Sequence, residues 1–190
     1  LEAFEQGGVC PQGTNVSLIS ADAELSEDCL YLDIYKPAGE HTNLPVLFWI
    51  HGGGFTLGSG VDYDGSVLAN QGQVIVVSIN YRLGLLGFAD VSSWGGDFVG
   101  SHNNGITDQI VALQWVQRNI ASFGGDSERV TIFGESAGGS SVLALLSSPQ
   151  ANGLFSQALS HSPGAMCREP GDLLSTLAAQ REQNPTELKA

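Results

Sequence analysis

The chain has 190 residues, and its 7 lysines and arginines stand against 20 aspartates and glutamates, for a formal net charge of −13. Such an acidic surface repels nucleic-acid phosphates and anionic membranes, so neither is an expected partner. Hydrophobic residues make up 42% of the chain, enough to bury a core, but the apolar runs are far shorter than the ~20 residues of a membrane-spanning helix. No membrane span is expected.

Short apolar runs rich in β-branched residues alternate along the chain with segments of helical periodicity. In chain order, the patterns predict strands at 30–35, 46–50 and 74–79, a helix at 106–120, a turn at 126–127, a strand at 129–133, and helices at 136–147 and 172–180. Alternating strands and helices indicate a mostly parallel sheet with helices on both faces. No repeat or linker divides the chain, so residues 1–190 are predicted to form one α/β unit.

The sequence Gly134-Glu135-Ser136-Ala137-Gly138 is a G-x-S-x-G motif between a predicted strand and a predicted helix. Such a motif places a nucleophilic serine on a sharp strand-to-helix turn, where flanking glycines remove Cβ atoms that would obstruct the close approach. Ser136 is therefore the candidate nucleophile. Its hydroxyl is expected above the carboxyl edge of the sheet, at the positive end of the following helix.

A second motif, His51-Gly52-Gly53-Gly54, directly follows the strand predicted at 46–50. Acyl transfer places negative charge on the former carbonyl oxygen, and fixed backbone N–H groups stabilise that charge. Successive glycines let the backbone approach this oxygen without intervening side chains. The alternative is a flexible turn or a phosphate-binding loop, but the P-loop lysine is missing and such a loop leaves the candidate nucleophile unexplained.

Three cysteines occur, and none of their spacings is the C-x-x-C of a zinc or redox site. Cys10 and Cys29 flank a polar, turn-rich loop that a disulfide could close. The alternative is that all three are buried free thiols of a cytosolic protein. Asn15 in this loop begins an N-glycosylation sequon, which favours a secreted, extracellular protein. Cys167 either stays free or pairs with a residue outside the chain.

The chain resembles the type-B carboxylesterase/lipase family, the α/β-hydrolases that include cholinesterases and fungal lipases. The matching stretches follow the family's order and nearly its spacing: residues 26–33, 51–55, 80–84, 108–116 and 123–138. The resemblance implies an incomplete α/β-hydrolase domain, the N-terminal half of a catalytic domain without its first strands. In this family, the catalytic carboxylate and histidine lie in the second half.

Carried over by position, the resemblance implies that Ser136 is the nucleophile of a carboxylic ester hydrolase. Gly53, Gly54 and Ala137 would supply the N–H groups of the oxyanion hole. Glu135 would line the pocket floor; the alternative is a partly buried structural carboxylate. No cofactor and no metal are expected.

The resemblance also implies two structural pairs. Cys10 and Cys29 match the family's first disulfide, which favours their pairing over free thiols. Arg82 and Asp108 fall where the family has a buried structural ion pair, and they are interpreted as scaffold rather than as catalytic groups.

A serine hydroxyl needs a base to accept its proton and a carboxylate to orient that base. None of the chain's four histidines, His41, His51, His102 and His161, matches the family's base, although His161 stays open as a substitute. The isolated chain is therefore expected to hydrolyse esters poorly.

The expected substrates are small neutral carboxylic esters or acylglycerols. In cholinesterases the disulfide-closed loop carries a tryptophan that holds a quaternary ammonium, whereas no aromatic residue lies between Cys10 and Cys29. An alternative function is a non-catalytic, cholinesterase-like adhesion or binding module. Retention of Ser136 and of the complete His51–Gly54 motif argues against that alternative. The sequence leaves the oligomeric state open.

Overall fold

A computed structural model of the chain describes residues 5–13 and 24–164, which contain a five-stranded sheet. The strands are β1 (Leu32–Tyr35), β2 (Leu44–Ile50), β3 (Ile75–Ile79), β4 (Gly125–Glu135) and β5 (Gln157–His161), in the order β1-β3-β2-β4-β5. β2 runs parallel to β3 and β4, and β4 runs parallel to β5, whereas β1 is antiparallel to β3. The predicted α/β fold with a mostly parallel sheet is confirmed.

The described helices are α1 (Ser66–Gly72), α2 (Gly84–Phe88), α3 (Asn104–Asn119) and α4 (Ala137–Ser147), with short 3₁₀ turns between elements. α3 and α4 agree with the helices predicted at 106–120 and 136–147. No sequence pattern predicted α1, α2 or β5. The helix predicted at 172–180 lies outside the described residues. Within the described part, no helix combines the length and apolar character needed to cross a membrane.

One face of the sheet carries the core of the molecule. Alternate residues of the strands pack against the apolar faces of α3 and α4, as their sequence periods require. The fully buried members include Val46, Phe48, Ile50, Val77, Val130, Ile132, Leu113, Val116 and Val142. α3 and α4 thus lie behind the strands. The carboxyl ends of β2 and β4 lie at the same edge because the two strands are parallel neighbours.

The opposite face is covered unevenly. Near β3 it is covered by the chain leading into α1, where a Cβ on Gly65 would lie 2.8 Å from a methyl carbon of Val76. Across β2 and β4, the Trp49 ring contacts the rings of Tyr63 and Phe133 at centroid distances of 5.0 and 4.8 Å. The described helices therefore lie on both faces, but they cover the α3–α4 face more completely.

β4 begins earlier than the sequence predicts. Leu44 pairs with Gly125 but Val46 pairs with Val130, so β4 has an irregularity between these two pairs. Within it, Asp126 Oδ1 accepts a hydrogen bond of 2.9 Å from the Glu128 N–H. The turn predicted at 126–127 is thus a local side-chain turn inside a longer strand rather than the boundary before it.

Candidate active site

Ser136 forms the turn between β4 and α4, since the strand ends at Glu135 and the helix begins at Ala137. Its backbone angles are φ 57° and ψ −119°, a strained conformation for a residue with a Cβ. The flanking glycines make the turn possible. A Cβ on Gly134 would lie 2.5 Å from the carbonyl carbon of Gly138.

Four hydrogen bonds hold the strained turn. The Ser136 N–H donates to the His161 carbonyl at the end of β5 (3.0 Å), and the Ser136 carbonyl accepts from the Ser140 N–H (2.9 Å) and from the Ser140 hydroxyl (3.3 Å). The Ser160 hydroxyl donates to the Gly139 carbonyl (2.9 Å). β5, which the sequence did not predict, therefore helps to fix the backbone of the candidate nucleophile.

The two glycine-rich motifs meet at the carboxyl edge of the sheet. Ile50 and Gly134 are register partners on β2 and β4, so the chain leaves both strands side by side. A Cβ on Gly52 would lie 3.2 Å from the Cβ of Ser136 and 2.9 Å from the Glu135 carbonyl oxygen. Gly52 thus passes directly beside the candidate nucleophile, with no room for a side chain between them.

The predicted oxyanion-hole donors lie in this region with their N–H groups unused. Among the described residues, the backbone N–H groups of Gly53, Gly54 and Ala137 donate no hydrogen bond to another group. Gly53 and Gly54 have φ angles of +108° and +62°, which favour glycine. Ala137 is the first residue of α4, where the N–H has no partner within the helix. Free donors beside a strained serine can stabilise negative charge on a bound oxygen.

His51 anchors the loop of residues 51–60, here called the glycine loop. Its ring is 1% exposed and stacks on Tyr81 with centroids 4.4 Å apart. The Tyr81 hydroxyl donates to the His51 carbonyl (2.9 Å), and His51 Nδ1 lies 2.7 Å from the Gly52 carbonyl oxygen. Burial lowers the pKa of His51 to about 4, so the ring is neutral at pH 7 and its Nδ1–H donates to Gly52.

The depressed pKa of His51 predicts a stability change in acid. Because the folded-state pKa of about 4 lies below the ordinary histidine value of 6.5, the unfolded chain binds the proton more tightly. This contribution to the free energy of unfolding is complete above pH 6.5 and is lost as pH falls toward 4. Between pH 7.5 and 4.5 it amounts to about 2–3 kcal/mol. Denaturant unfolding measures the free energy of unfolding at pH 7.5 and at pH 4.5. The difference between the two values should be smaller for His51→Gln than for the unmodified chain.

His102→Gln is the control for this measurement because its side chain is partly exposed, with 41% of its surface accessible. That variant should retain the pH dependence of the unmodified chain. An unchanged pH dependence in His51→Gln would contradict the assignment of a buried neutral histidine.

Glu135 and His161 lie at the ends of neighbouring strands and are register partners. Both side chains are exposed among the described residues, and Glu135 Oε2 would lie 3.1 Å from a Cβ on Gly52. His161 meets Ser136 through its backbone carbonyl. Within the described ranges, its imidazole makes no hydrogen bond to the serine hydroxyl.

The two structural pairs are present, and among the described residues neither makes a hydrogen bond to Ser136. Cys10 and Cys29 form a disulfide, and both residues are buried. Arg82 Nη2 and Nε donate to the two carboxylate oxygens of Asp108 at 2.7 and 2.8 Å, and the Arg82 N–H adds a bond of 3.0 Å. The hydrogen bonds to Asp108 raise the pKa of Arg82. This pair joins α3 to the chain before α2. Asn15 and Cys167 lie outside the described residues.

Asn80 is a buried residue to which sequence reasoning assigned no role. Its Oδ1 accepts from the Ser59 hydroxyl (3.2 Å) and the Gly60 N–H (2.8 Å), and its Nδ2 donates to the carbonyls of Gly8 (3.1 Å) and Cys29 (3.0 Å). Asn80 therefore joins the end of the glycine loop to the disulfide-bonded segment. A lone asparagine after a strand carries no signal for this role, because its partners are distant in sequence.

A strained serine between a parallel strand and a helix, beside a glycine loop at the same sheet edge, defines an α/β-hydrolase. The sequence profile described as the carboxylesterase family matches residues 1–180, and the chain belongs to this family.

Relatives and solved structures agree with that assignment. The chain is 48% identical over 184 residues to the para-nitrobenzyl esterase of Bacillus subtilis (strain 168), covering 94% of this chain and 37% of that protein. It is 51% identical over 162 residues to the cocaine esterase of Homo sapiens, covering 82% and 28%. A solved PNB esterase structure superimposes with a TM-score of 0.83 at 49% identity, covering 93% of this chain and 37% of that one. The chain thus spans 28–37% of the length of these relatives.

Proposed function

We propose that the chain is the nucleophile-bearing part of a longer serine carboxylesterase that hydrolyses carboxylic esters through an acyl-enzyme on Ser136. The observation that carries this proposal is the position of Ser136 beside Gly52, at the start of the glycine loop whose Gly53 and Gly54 N–H groups are unused. A Cβ on Gly52 would lie only 3.2 Å from that of Ser136. The first turn of α4 adds its positive end to the same place.

In the proposed reaction, Ser136 Oγ attacks the ester carbonyl carbon and the electron pair of the C=O bond moves to the oxygen. The N–H groups of Gly53, Gly54 and Ala137 bind this oxyanion, and each such donor is typically worth about 3 kcal/mol in the transition state. A base accepts the serine proton; the oxyanion then re-forms the C=O bond, the bond from the acyl carbon to the alcohol oxygen breaks, and the base gives its proton to the leaving alcohol. Water then attacks the acyl-enzyme by the reverse sequence, which releases the carboxylic acid.

The base and its orienting carboxylate are proposed to come from the rest of the longer polypeptide. Among residues 5–13 and 24–164, no histidine side chain hydrogen-bonds to the Ser136 hydroxyl. His51 is excluded as the base because it is buried and donates its Nδ1 proton to Gly52.

We infer neutral carboxylic esters or acylglycerols as the substrates. The support is the absence of an aromatic residue between Cys10 and Cys29, which leaves this loop without a cation–π partner for a quaternary ammonium. The name of the bacterial relative, para-nitrobenzyl esterase, also denotes esters of an uncharged alcohol. A non-catalytic binding module is the second candidate function, but it gives no reason to retain a strained serine beside unused donors.

An oxidising compartment is the location that the disulfide supports, because such bonds are rare in reducing cytosol. The sequon at Asn15 points the same way, toward a secreted glycoprotein.

The test uses the full-length chain and an alkyl fluorophosphonate, which reacts with activated serines. We expect one label per chain on Ser136, located by mass spectrometry of the digested protein, with hydrolysis of p-nitrophenyl butyrate falling in proportion to labelling. Residues 1–190 alone should label far more slowly, because the base is missing. Labelling at another residue, or full labelling with undiminished hydrolysis, would contradict the proposal. A binding module would neither label nor hydrolyse.

A further inference from the structure

Gln12 makes an unusual set of contacts with the glycine loop. Its Oε1 accepts from the Gly58 N–H at 2.7 Å, while its Nε2 donates to the Gly58 carbonyl at 2.9 Å and to the Cys10 carbonyl at 3.0 Å. One side-chain amide therefore satisfies both backbone hydrogen-bonding groups of Gly58, as a neighbouring strand would. Such two-point pairing sets the orientation of the adjacent peptide planes as well as their position.

Gly58 packs directly against the beginning of the glycine loop. Its φ is +106°, and a Cβ there would lie 2.6 Å from both the Gly52 carbonyl oxygen and His51 Nδ1. The neighbouring Leu57 donates its N–H to the Gly53 carbonyl at 3.1 Å. A displacement of Gly58 therefore reaches Gly52, which lies beside Ser136, by direct contact, and reaches Gly53 through Leu57.

At its other end, Gln12 is attached to a well-anchored segment. Cys10 is buried and disulfide-bonded to Cys29, whose carbonyl accepts from the buried Asn80 amide. Val9, 1% exposed, exchanges backbone hydrogen bonds with the chain around residue 25, since its N–H donates to the Glu24 carbonyl (2.8 Å). Gln12 thus connects the glycine loop to a segment held by a disulfide and by backbone hydrogen bonds.

We propose that Gln12 is a positioning residue for the oxyanion hole: its amide holds Gly58, and through Gly58 the Gly52–Gly53 backbone, in the arrangement that binds the oxyanion. This inference rests on the proposed ester hydrolysis and extends it to a residue outside the catalytic motifs. Donors preorganised toward the developing charge act mainly on the transition state, so their misplacement lowers kcat more than it raises KM.

The test compares Gln12→Met in the full-length enzyme with Gln117→Met as a matched control. Methionine keeps the length of the side chain and removes the amide. Gln117 also makes two side-chain bonds to carbonyls, those of Ser127 (2.8 Å) and Leu154 (2.9 Å), but near the amino-terminal end of β4. Gln12→Met loses three side-chain hydrogen bonds, two of them to Gly58, and Gln117→Met loses two, none of them to the glycine loop.

For Gln12→Met we expect kcat to fall roughly 10- to 30-fold, corresponding to about two hydrogen bonds, with KM within about threefold of the parent. The inhibition constant of a trifluoromethyl ketone, whose hemiketal oxygen occupies the oxyanion hole, should rise by the same factor. Gln117→Met should leave kcat and this inhibition constant unchanged while also lowering the melting temperature. If the methionine variant does not fold, Gln12→Ser removes the same bonds with a small polar side chain.

Unchanged kcat and inhibition in Gln12→Met, or an equal loss of kcat in Gln117→Met, would overturn the inference. Either outcome would leave fluorophosphonate labelling of Ser136 intact in the parent enzyme. Failure of the proposed function would instead appear as absent labelling in the parent, so the two failures are distinguishable.

Discussion

Replacement of Ser136 by alanine in the full-length chain is expected to lower kcat for ester hydrolysis roughly 10⁶-fold, the scale seen when a serine nucleophile is removed elsewhere. The hydroxyl oxygen is the atom that forms the acyl-enzyme, and no neighbouring group among the described residues replaces it. The oxyanion donors and substrate binding remain, so a residual rate of about 10³–10⁴-fold over water should persist. Steady-state hydrolysis of p-nitrophenyl butyrate measures both values.

The matched control is Ser136→Gly, which also removes the hydroxyl but tolerates the strained backbone. Both variants should lack activity, and the glycine variant should melt at a higher temperature than the alanine variant because φ is 57° at this position. Activity within 100-fold of the parent in Ser136→Ala would contradict the assignment of the nucleophile.

Gly53→Ala is expected to have the second-largest effect, a loss of roughly 10²–10³-fold in kcat, which corresponds to removing one oxyanion donor. At a φ of +108°, any side chain is strained, and the new Cβ would overlap the carbonyl oxygen of Leu57. The backbone must shift to relieve this overlap, and the shift carries the Gly53 and Gly54 N–H groups away from Ser136. Steady-state kinetics and thermal unfolding of the full-length variant measure the two consequences.

Gly95→Ala provides the control for backbone strain alone. Gly95 has a φ of +72°, but a Cβ there would have no heavy atom within 4 Å. It should lose a similar amount of stability from conformational strain while retaining the parent kcat. Equal losses of kcat in both variants, or a loss below tenfold in Gly53→Ala, would contradict the role assigned to the glycine loop.

Elements with one clear hydrophobic period were predicted almost to the residue. The helix predicted at 106–120 is α3, Asn104–Asn119, and the apolar residues Ile110, Leu113 and Val116, which recur at helical spacing, are buried. β5 was missed because most of its five side chains are exposed and its sequence carries no alternation. It forms a strand because it pairs with β4, and the local sequence does not show that pairing.

The sequence by itself determined the candidate catalytic groups and the family: a serine between glycines follows one strand, and a glycine triplet follows another. These are local properties. A turn that needs glycine and a helix that needs an apolar face can both be recognised from residues close together in the sequence.

Only the tertiary structure decided how these parts are held together. The two motifs are adjacent because β2 and β4 are neighbours in the sheet, although β3 lies between them in sequence. Gln12 reaches Gly58 across 46 residues, and Asn80 reaches Gly8 across 72. Hydrogen bonds between residues so far apart in sequence depend on how the whole sheet packs. The sequence near either partner therefore does not predict them.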